Sequence, residues 1–496
     1  MSTSVKDWIA DRIKEDQITR YLREDGSDFI DEDRIMKELA GQKNPDPSYV
    51  REIIQKSLSI KTLSGEETAA LLNVEDPQLI SEMEEAAGKI KKKVYDNRIV
   101  TFAPLYLSSM CVNRCKYCSF SIENSEMERR VVKRDELERE IQALAGKIGH
   151  KRLIVVYGEH PDSDADYIVD TVKGIYASVS KTKNGTGRIR RVNINAAPMS
   201  IEDLKKLKEV GIGTFQVFQE TYHKQTYRTV HPEHTLKGNY DWRLYCMHRA
   251  FDAGIDDVGI GALFGLYDWR FEVMGLIYHT HELERRFGVG PHTISFPRLE
   301  PAHNAPLATN SKYLVNDEDF KHLVLCLRLA VPYTGLILTA RENAELRKKI
   351  LPFGITQTDA SSKIGLGAYS KDLKEQEDER QQFVLGDTRS LDDVVREMAE
   401  LGYITSFCTA GYRCGRTGKK IMGLLKCGKE GEFCKLNAIL TFREWLDDFA
   451  SEETKRVAEP LIHKEMAEVK QQNPKMYPQL MEYYKKICAG ARDLYF

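Results

Sequence analysis

From Val100 to about residue 340, short apolar runs alternate with charged amphipathic stretches, the rhythm of repeated βα units around a parallel sheet. Arg152–Tyr157, Arg191–Ala196, Thr214–Val217, Asp257–Gly261, Thr293–Phe296 and Gly335–Leu338 read as strands, and a strand-like stretch Thr101–Leu107 precedes them. Helices fit between the runs, for example Arg134–Ala145 and Ile201–Glu209. Six such units imply an α/β fold and suggest a (β/α) barrel of the TIM type, whole or partial; an open doubly wound sheet would show the same local pattern.

Residues 1–95 are charged and helix-patterned, with one helix start at Pro45-Asp46-Pro47-Ser48 and another at Ser64-Gly65-Glu66-Glu67. Past about residue 375 a charged stretch, KDLKEQEDERQQF, leads to a group of cysteines and then to helical segments. The expected division is therefore a helical extension over 1–95, a barrel over 96–375 and a mostly helical cysteine-containing unit over 376–496. A length of 496 residues accommodates a barrel of about 250 with both additions.

Lys and Arg number 73 against 75 Asp and Glu, so nothing in the charge balance points to nucleic acid or an anionic membrane. The N-terminal stretch has no apolar signal core and nowhere do about 18 apolar residues run together, which places the chain in the cytoplasm or a comparable reducing compartment. In that setting ten cysteines serve as metal ligands or catalysts sooner than as disulfides. Cys111, Cys115 and Cys118 form one cluster and Cys408, Cys414, Cys427 and Cys434 another; Cys246, Cys326 and Cys488 stand apart as small core residues.

Cys111, Cys115 and Cys118 place three thiolates on one short loop directly after the first strand-like stretch. A cubane normally takes four thiolates, so three leave one iron open to chelate a small molecule and pass it an electron. A zinc knuckle with a remote fourth ligand, or three unrelated thiols, are the bland alternatives. The C-x3-C-x2-C spacing with Tyr117 before the last Cys resembles the signature loop of radical S-adenosylmethionine enzymes. That resemblance implies a [4Fe-4S] cluster and S-adenosyl-L-methionine. In the family the open iron binds the cofactor's amino and carboxylate groups, and one electron releases a 5′-deoxyadenosyl radical that takes hydrogen from the substrate. Tyr157-Gly158-Glu159 is similar to the family's glycine–glutamate motif, which makes Glu159 a holder of the cofactor's amino group, although Tyr157 stands where glycine is frequent. Asn193 and Asn195 share a strand face, as cofactor contacts or as ordinary barrel polars.

The stretches Phe218-Gln219-Glu220-Thr221-Tyr222-His223, Leu263-Phe264-Gly265-Leu266-Tyr267-Asp268 and Gly288-Val289-Gly290-Pro291-His292-Thr293-Ile294-Ser295-Phe296-Pro297-Arg298 resemble the tyrosine lyases of the HydG and ThiH type, from about residue 20 onward. That implies attack at tyrosine's amino group, breakage of Cα–Cβ, and formation of p-cresol and dehydroglycine (2-iminoacetate). HydG goes on to carbon monoxide and cyanide on a second cluster. The implied partners are L-tyrosine, a reductant such as ferredoxin or flavodoxin, and hydrogenase maturation proteins. Arg298 and Ser295, at the end of one barrel strand, suit a substrate carboxylate, with Arg298 alternatively paired to Glu300. Glu220 is a further contact to cofactor or substrate. By resemblance His279 matches the histidine associated with the extra iron of the second cluster.

The C-terminal cysteines depart from that family. Cys408 and Cys434 match the first and third positions of its C-x2-C-x22-C motif, while the middle position is Gly411, which has no side chain to bind iron. Cys414, or Cys427, replaces the lost thiolate; or the four bind zinc or a different cluster; or the site is empty. Gln357-Thr-Asp-Ala-Ser361-Ser-Lys363 also stands where HydG shows Ser-Ala-Gly-Ser-Arg. The sequence reads as a HydG-like paralogue with an intact tyrosine-cleaving half. A lyase for another aromatic amino acid such as tryptophan, or a non-catalytic scaffold for maturation partners, are the competing readings.

Overall fold

The computed structural model describes residues 3–371, 381–426 and 430–496. The expected boundary at residue 375 and Cys427 lie outside these residues.

Eight parallel strands close into a barrel: β1 (Arg98–Ser108), β2 (Arg152–Tyr157), β3 (Arg191–Asn195), β4 (Phe215–Gln216), β5 (Val258–Gly261), β6 (Thr293–Ser295), β7 (Gly335–Leu338) and β8 (Gln357–Asp359). Each pairs with the next, and β8 returns to β1 through Val100–Gln357, Thr101–Thr358 and Phe102–Asp359. A closed barrel, not an open doubly wound sheet, is thus the architecture. All eleven residues of β1 are buried, as its near-continuous apolar text requires of a strand covered on both faces. A ninth strand, β9 (Ile404–Ser406), pairs with the first residues of β1, Arg98 to Ile404 and Val100 to Ser406.

β8 was invisible to periodicity because its three residues, Gln-Thr-Asp, carry no apolar signal. β4 is shorter than Thr214–Val217 because the Thr214 N–H is taken by the Asn193 side chain, 3.0 Å away. The helix expected over Arg134–Ala145 is α-helical only to Ile141 and widens to a π-helix over Gln142–Ile148. The Leu144 carbonyl there accepts from both Gly149 and His150 N–H. Gly149 is left-handed, with φ +94°, and the Phe449 and Trp445 side chains fill the space a Cβ would need.

Before β1, six helices run between Thr3 and Tyr95. The Pro47–Leu58 helix starts where the sequence marks it: the Asp46 carboxylate accepts from Ser48 and Tyr49 N–H, and Pro47 occupies the first turn. Ser64 and Glu67 cap the Gly65–Leu72 helix reciprocally. After β9 the chain is helical, chiefly Glu430–Phe449, Glu452–Gln472 and Tyr477–Cys488. Among the described residues no helix is long and apolar enough to cross a membrane.

Candidate active site

Cys111, Cys115 and Cys118 lie on the loop that leaves β1, and all three line one open cavity of about 1520 Å³, mouth included, at the C-terminal ends of the barrel strands. The loop is held by its own side chains. The Tyr117 hydroxyl is 2.7 Å from His231 Nε2, and Arg129 donates to the Phe120 and Asn124 carbonyls at 3.1 and 3.0 Å. Asn113 accepts the Lys237 N–H at 2.9 Å and donates to Glu159 at 2.6 Å. Gly158 is required here, because a Cβ would run into the Met110 carbonyl just ahead of Cys111.

The donor set suits a cubane better than a single ion. Among the described residues, the one trio of potential ligand atoms gathered within 4.8 Å of one another is Asp96, Glu465 and Glu468, so the three loop sulfurs are spread wider than that. A tetrahedral zinc site with Zn–S of about 2.3 Å would draw its sulfurs to about 3.8 Å. The acidic trio itself is already occupied by the Lys435 ammonium, at 2.9, 2.7 and 2.6 Å. Burial raises the Cys111 thiol and pushes Cys115 up to about 12. At these two positions thiolates therefore persist only beside added positive charge, which cluster iron would supply.

Glu159, Asn195, Tyr117, Glu220 and Ser295 line the same cavity. Glu159 Oε2 accepts from Asn113, whereas Oε1 is buried with no partner among the described residues. An unmatched buried carboxylate oxygen is the feature an amino-acid ammonium would satisfy, and S-adenosylmethionine carries one. Glu220 sits at φ +72°, an uncommon conformation for a residue with a side chain. Lys237 and Arg243 grip its carboxylate at 2.8 and 3.2 Å. Burial would raise its pKa, but the two cations hold it below the ordinary carboxylate value.

Three expectations are corrected. Asn193 does not reach the cavity: its Oδ1 accepts from Arg191 Nε at 2.9 Å and Thr214 N–H at 3.0 Å, since two residues along a strand move a side chain roughly 6.6 Å down the barrel. Arg298 is not a free carboxylate clamp. Its guanidinium is spent on Glu342, on Asp317 at 2.9 Å and on the Val315 carbonyl at 2.8 Å. Two guanidinium groups line the cavity: that of Arg243 is held by Glu220, whereas that of Arg341 stacks on Phe383. Arg298 and Arg341 both follow a strand end by three residues, so spacing alone does not separate them; the neighbouring acids do. In the Gln357–Lys363 run, Asp359 faces the cavity while accepting from Ala340 N–H and the Ser362 hydroxyl at 2.7 and 2.5 Å; the Lys363 ammonium turns to the Ala368 carbonyl.

The third correction concerns the second cysteine group. Cys408, Gly411 and Cys434 line a smaller cavity with Arg98, Arg152 and His292, at the opposite, N-terminal ends of the strands. Cys414 turns away, its sulfur 3.5 Å from the Phe496 carbonyl. His279 belongs elsewhere: its Nδ1 is 2.9 Å from the Tyr222 hydroxyl, its ring packs against Phe29, and burial lowers its pKa to about 3. The histidine beside Cys408 and Cys434 is His292, 2.7 Å from Asp257. It stands inside the Gly288–Arg298 stretch and was not singled out, because nothing in the sequence folds residue 292 against residue 408.

A parallel barrel with an open three-cysteine loop at its C-terminal mouth defines a radical S-adenosylmethionine enzyme, with a four-iron cluster and that cofactor. The Radical SAM superfamily profile matches residues 105–274, and that of the Biotin and Thiamin Synthesis associated domain matches 295–404. The 2-iminoacetate synthase of Salmonella typhimurium is 29% identical over 357 residues, 70% of this chain and 88% of that protein. A crystal structure of HydG, a maturase of the [FeFe]-hydrogenase, superposes with TM-score 0.89 at 45% identity, over 95% of this chain and 100% of that one. The HydG of Carboxydothermus hydrogenoformans gives 0.76 at 34% identity, over 96% and 99%. The chain belongs to the HydG family of radical S-adenosylmethionine carbon–carbon lyases.

Proposed function

We propose that this protein cleaves the Cα–Cβ bond of L-tyrosine to p-cresol and dehydroglycine, and that its reaction stops there. The observation that carries the reading is one cavity holding the cysteine loop, the unmatched oxygen of Glu159 and the Arg341 guanidinium. Bound there, the cluster and S-adenosylmethionine supply an electron and a hydrogen-abstracting radical. The protein's own part is to orient. Glu159 takes the cofactor ammonium, Arg341 grips the substrate carboxylate, and Tyr106, Phe218 and Phe383 give the aromatic ring an apolar surround. The electron comes from a reductant of the ferredoxin or flavodoxin class, in a reducing compartment such as the cytoplasm.

Onward conversion to carbon monoxide and cyanide, with delivery to hydrogenase maturation proteins, calls for a second cluster. Gly411 removes its middle ligand and Cys414 turns from the vacancy, which supports an end at dehydroglycine. The test is anaerobic reconstitution with a strong reductant, tyrosine and S-adenosylmethionine. p-Cresol and 5′-deoxyadenosine without carbon monoxide or cyanide are expected. Cofactor cleavage without p-cresol moves the substrate to another amino acid such as tryptophan, and a full cubane with no cofactor cleavage leaves a non-catalytic scaffold.

A further inference from the structure

The cavity wall built by the segments after β6 and β7 carries four charged side chains: Arg298, Glu300, Arg341 and Glu342. Two of them cancel, because Glu342 is bound to Arg298 through both carboxylate oxygens. The other two both line the cavity. Glu300 makes no hydrogen bond or ion pair among the described residues. Arg341 reaches only the Arg298 carbonyl, at 3.5 Å, besides its stacking on Phe383. An acid and a base side by side in a half-buried wall, each unspent, form a cradle for a zwitterion: the guanidinium takes a carboxylate and the carboxylate takes an ammonium.

Resting on the tyrosine-lyase reading, we propose that Glu300 receives the α-ammonium of the amino-acid substrate and accepts one of its protons, so that a neutral amine stands ready for hydrogen abstraction. The transfer balances as an ammonium and a carboxylate becoming an amine and a carboxylic acid; no carbon bond changes and no electron moves. The environment of Glu300 suits a proton acceptor at neutral pH. Burial and the Glu342 charge raise it to about 7 against the pull of Arg341 and Arg298, and these are the charged groups that face it.

The experiment is Glu300→Gln in the reconstituted holoenzyme, with iron content as the check on folding and Glu300→Asp as the conservative variant. p-Cresol formation is expected to fall about 100-fold in the glutamine variant and to recover partly in the aspartate one. The wild-type rate should rise through a single group near pH 7, and the glutamine variant should lose that rise. Wild type should also bind tyrosine about tenfold more tightly than 3-(4-hydroxyphenyl)propanoate, which lacks the amine, with the ratio shrinking to about one in the variant. An unchanged ratio, or a rate within about twofold of wild type, overturns the role of Glu300. Wild type that splits the cofactor yet makes no p-cresol instead overturns the tyrosine reading, and this proposal falls with it.

Discussion

Gly411→Cys is the sharpest perturbation of the lower site, and its consequences can be worked from the surroundings of that one residue. Gly411 sits in the short helix Ala410–Arg413 and is absent from the glycines with positive φ, so a side chain brings no backbone strain. A Cβ there meets nothing closer than 3.9 Å, the Arg416 Cβ and carbonyl oxygen. Replacing a helical glycine under these conditions is expected to stabilise by about 0.5–1 kcal/mol. The new thiol would join Cys408 and Cys434 on the same cavity wall, beside His292. Three thiolates can hold a second cubane, so iron after anaerobic reconstitution should rise from about four to about eight per chain. The cleanest assay is iron content with electron paramagnetic resonance in a background of alanine at Cys111, Cys115 and Cys118, where only the lower site remains. There the parent should bind no cluster and the Gly411→Cys form should bind one. A parent that keeps about four irons in that background would refute the argument, since two thiolates and a glycine would then suffice.

Arg341→Ala should raise the KM for tyrosine about 10- to 100-fold, from the loss of a charge-assisted contact of about 1.5–3 kcal/mol, read by steady-state p-cresol formation. Arg298→Ala should lower the denaturation midpoint, because it strands the buried Glu342 carboxylate. Away from the sites, Glu444 is buried between Lys151 and Arg190, at 2.7 and 2.5 Å. Glu444→Gln should cost about 3–5 kcal/mol by urea denaturation, since the buried Lys151 loses its counter-charge and Arg190 keeps only Asp493. Burial would raise the Glu444 pKa, but Lys151 and Arg190 pull it down to about 2. A depressed carboxylate contributes stability that is present above its unfolded value, near pH 4.5, and lost as pH falls toward 2. The stability of wild type should therefore drop across that window, and the glutamine variant should show a shallower drop.

The barrel was legible because its strands are apolar runs closed by amphipathic helices, and seven of the eight strand positions follow from that text alone. β8 was not, since Gln357, Thr358 and Asp359 earn their places by hydrogen bonding inside the barrel and not by hydrophobicity. The three cysteines could be read as one group because residues that close in sequence stay close in space, whereas Glu159, about forty residues further on, was marked only by resemblance. Arg341, Glu300 and His292 were not, because each owes its position to what the tertiary fold sets beside it: Glu342 reaching Arg298 leaves Arg341 unspent, and the C-terminal segment brings Cys408 to His292. Asn193 and Asn195 show the same limit within one strand, where a shared face hides a difference in depth.

β1 bonds to β8 and β9 near its start and delivers the chain to Met110 and Cys111 at its finish, so one ribbon of about 33 Å registers both ends of the molecule. Sliding it by a single residue would turn its inward side chains outward, displace the upper sulfurs and unseat the strand that carries Cys408. Neither end can be re-tuned through that ribbon without disturbing the other. Insertions and deletions between Arg98 and Ser108 should accordingly be tolerated far less than changes of side chain alone.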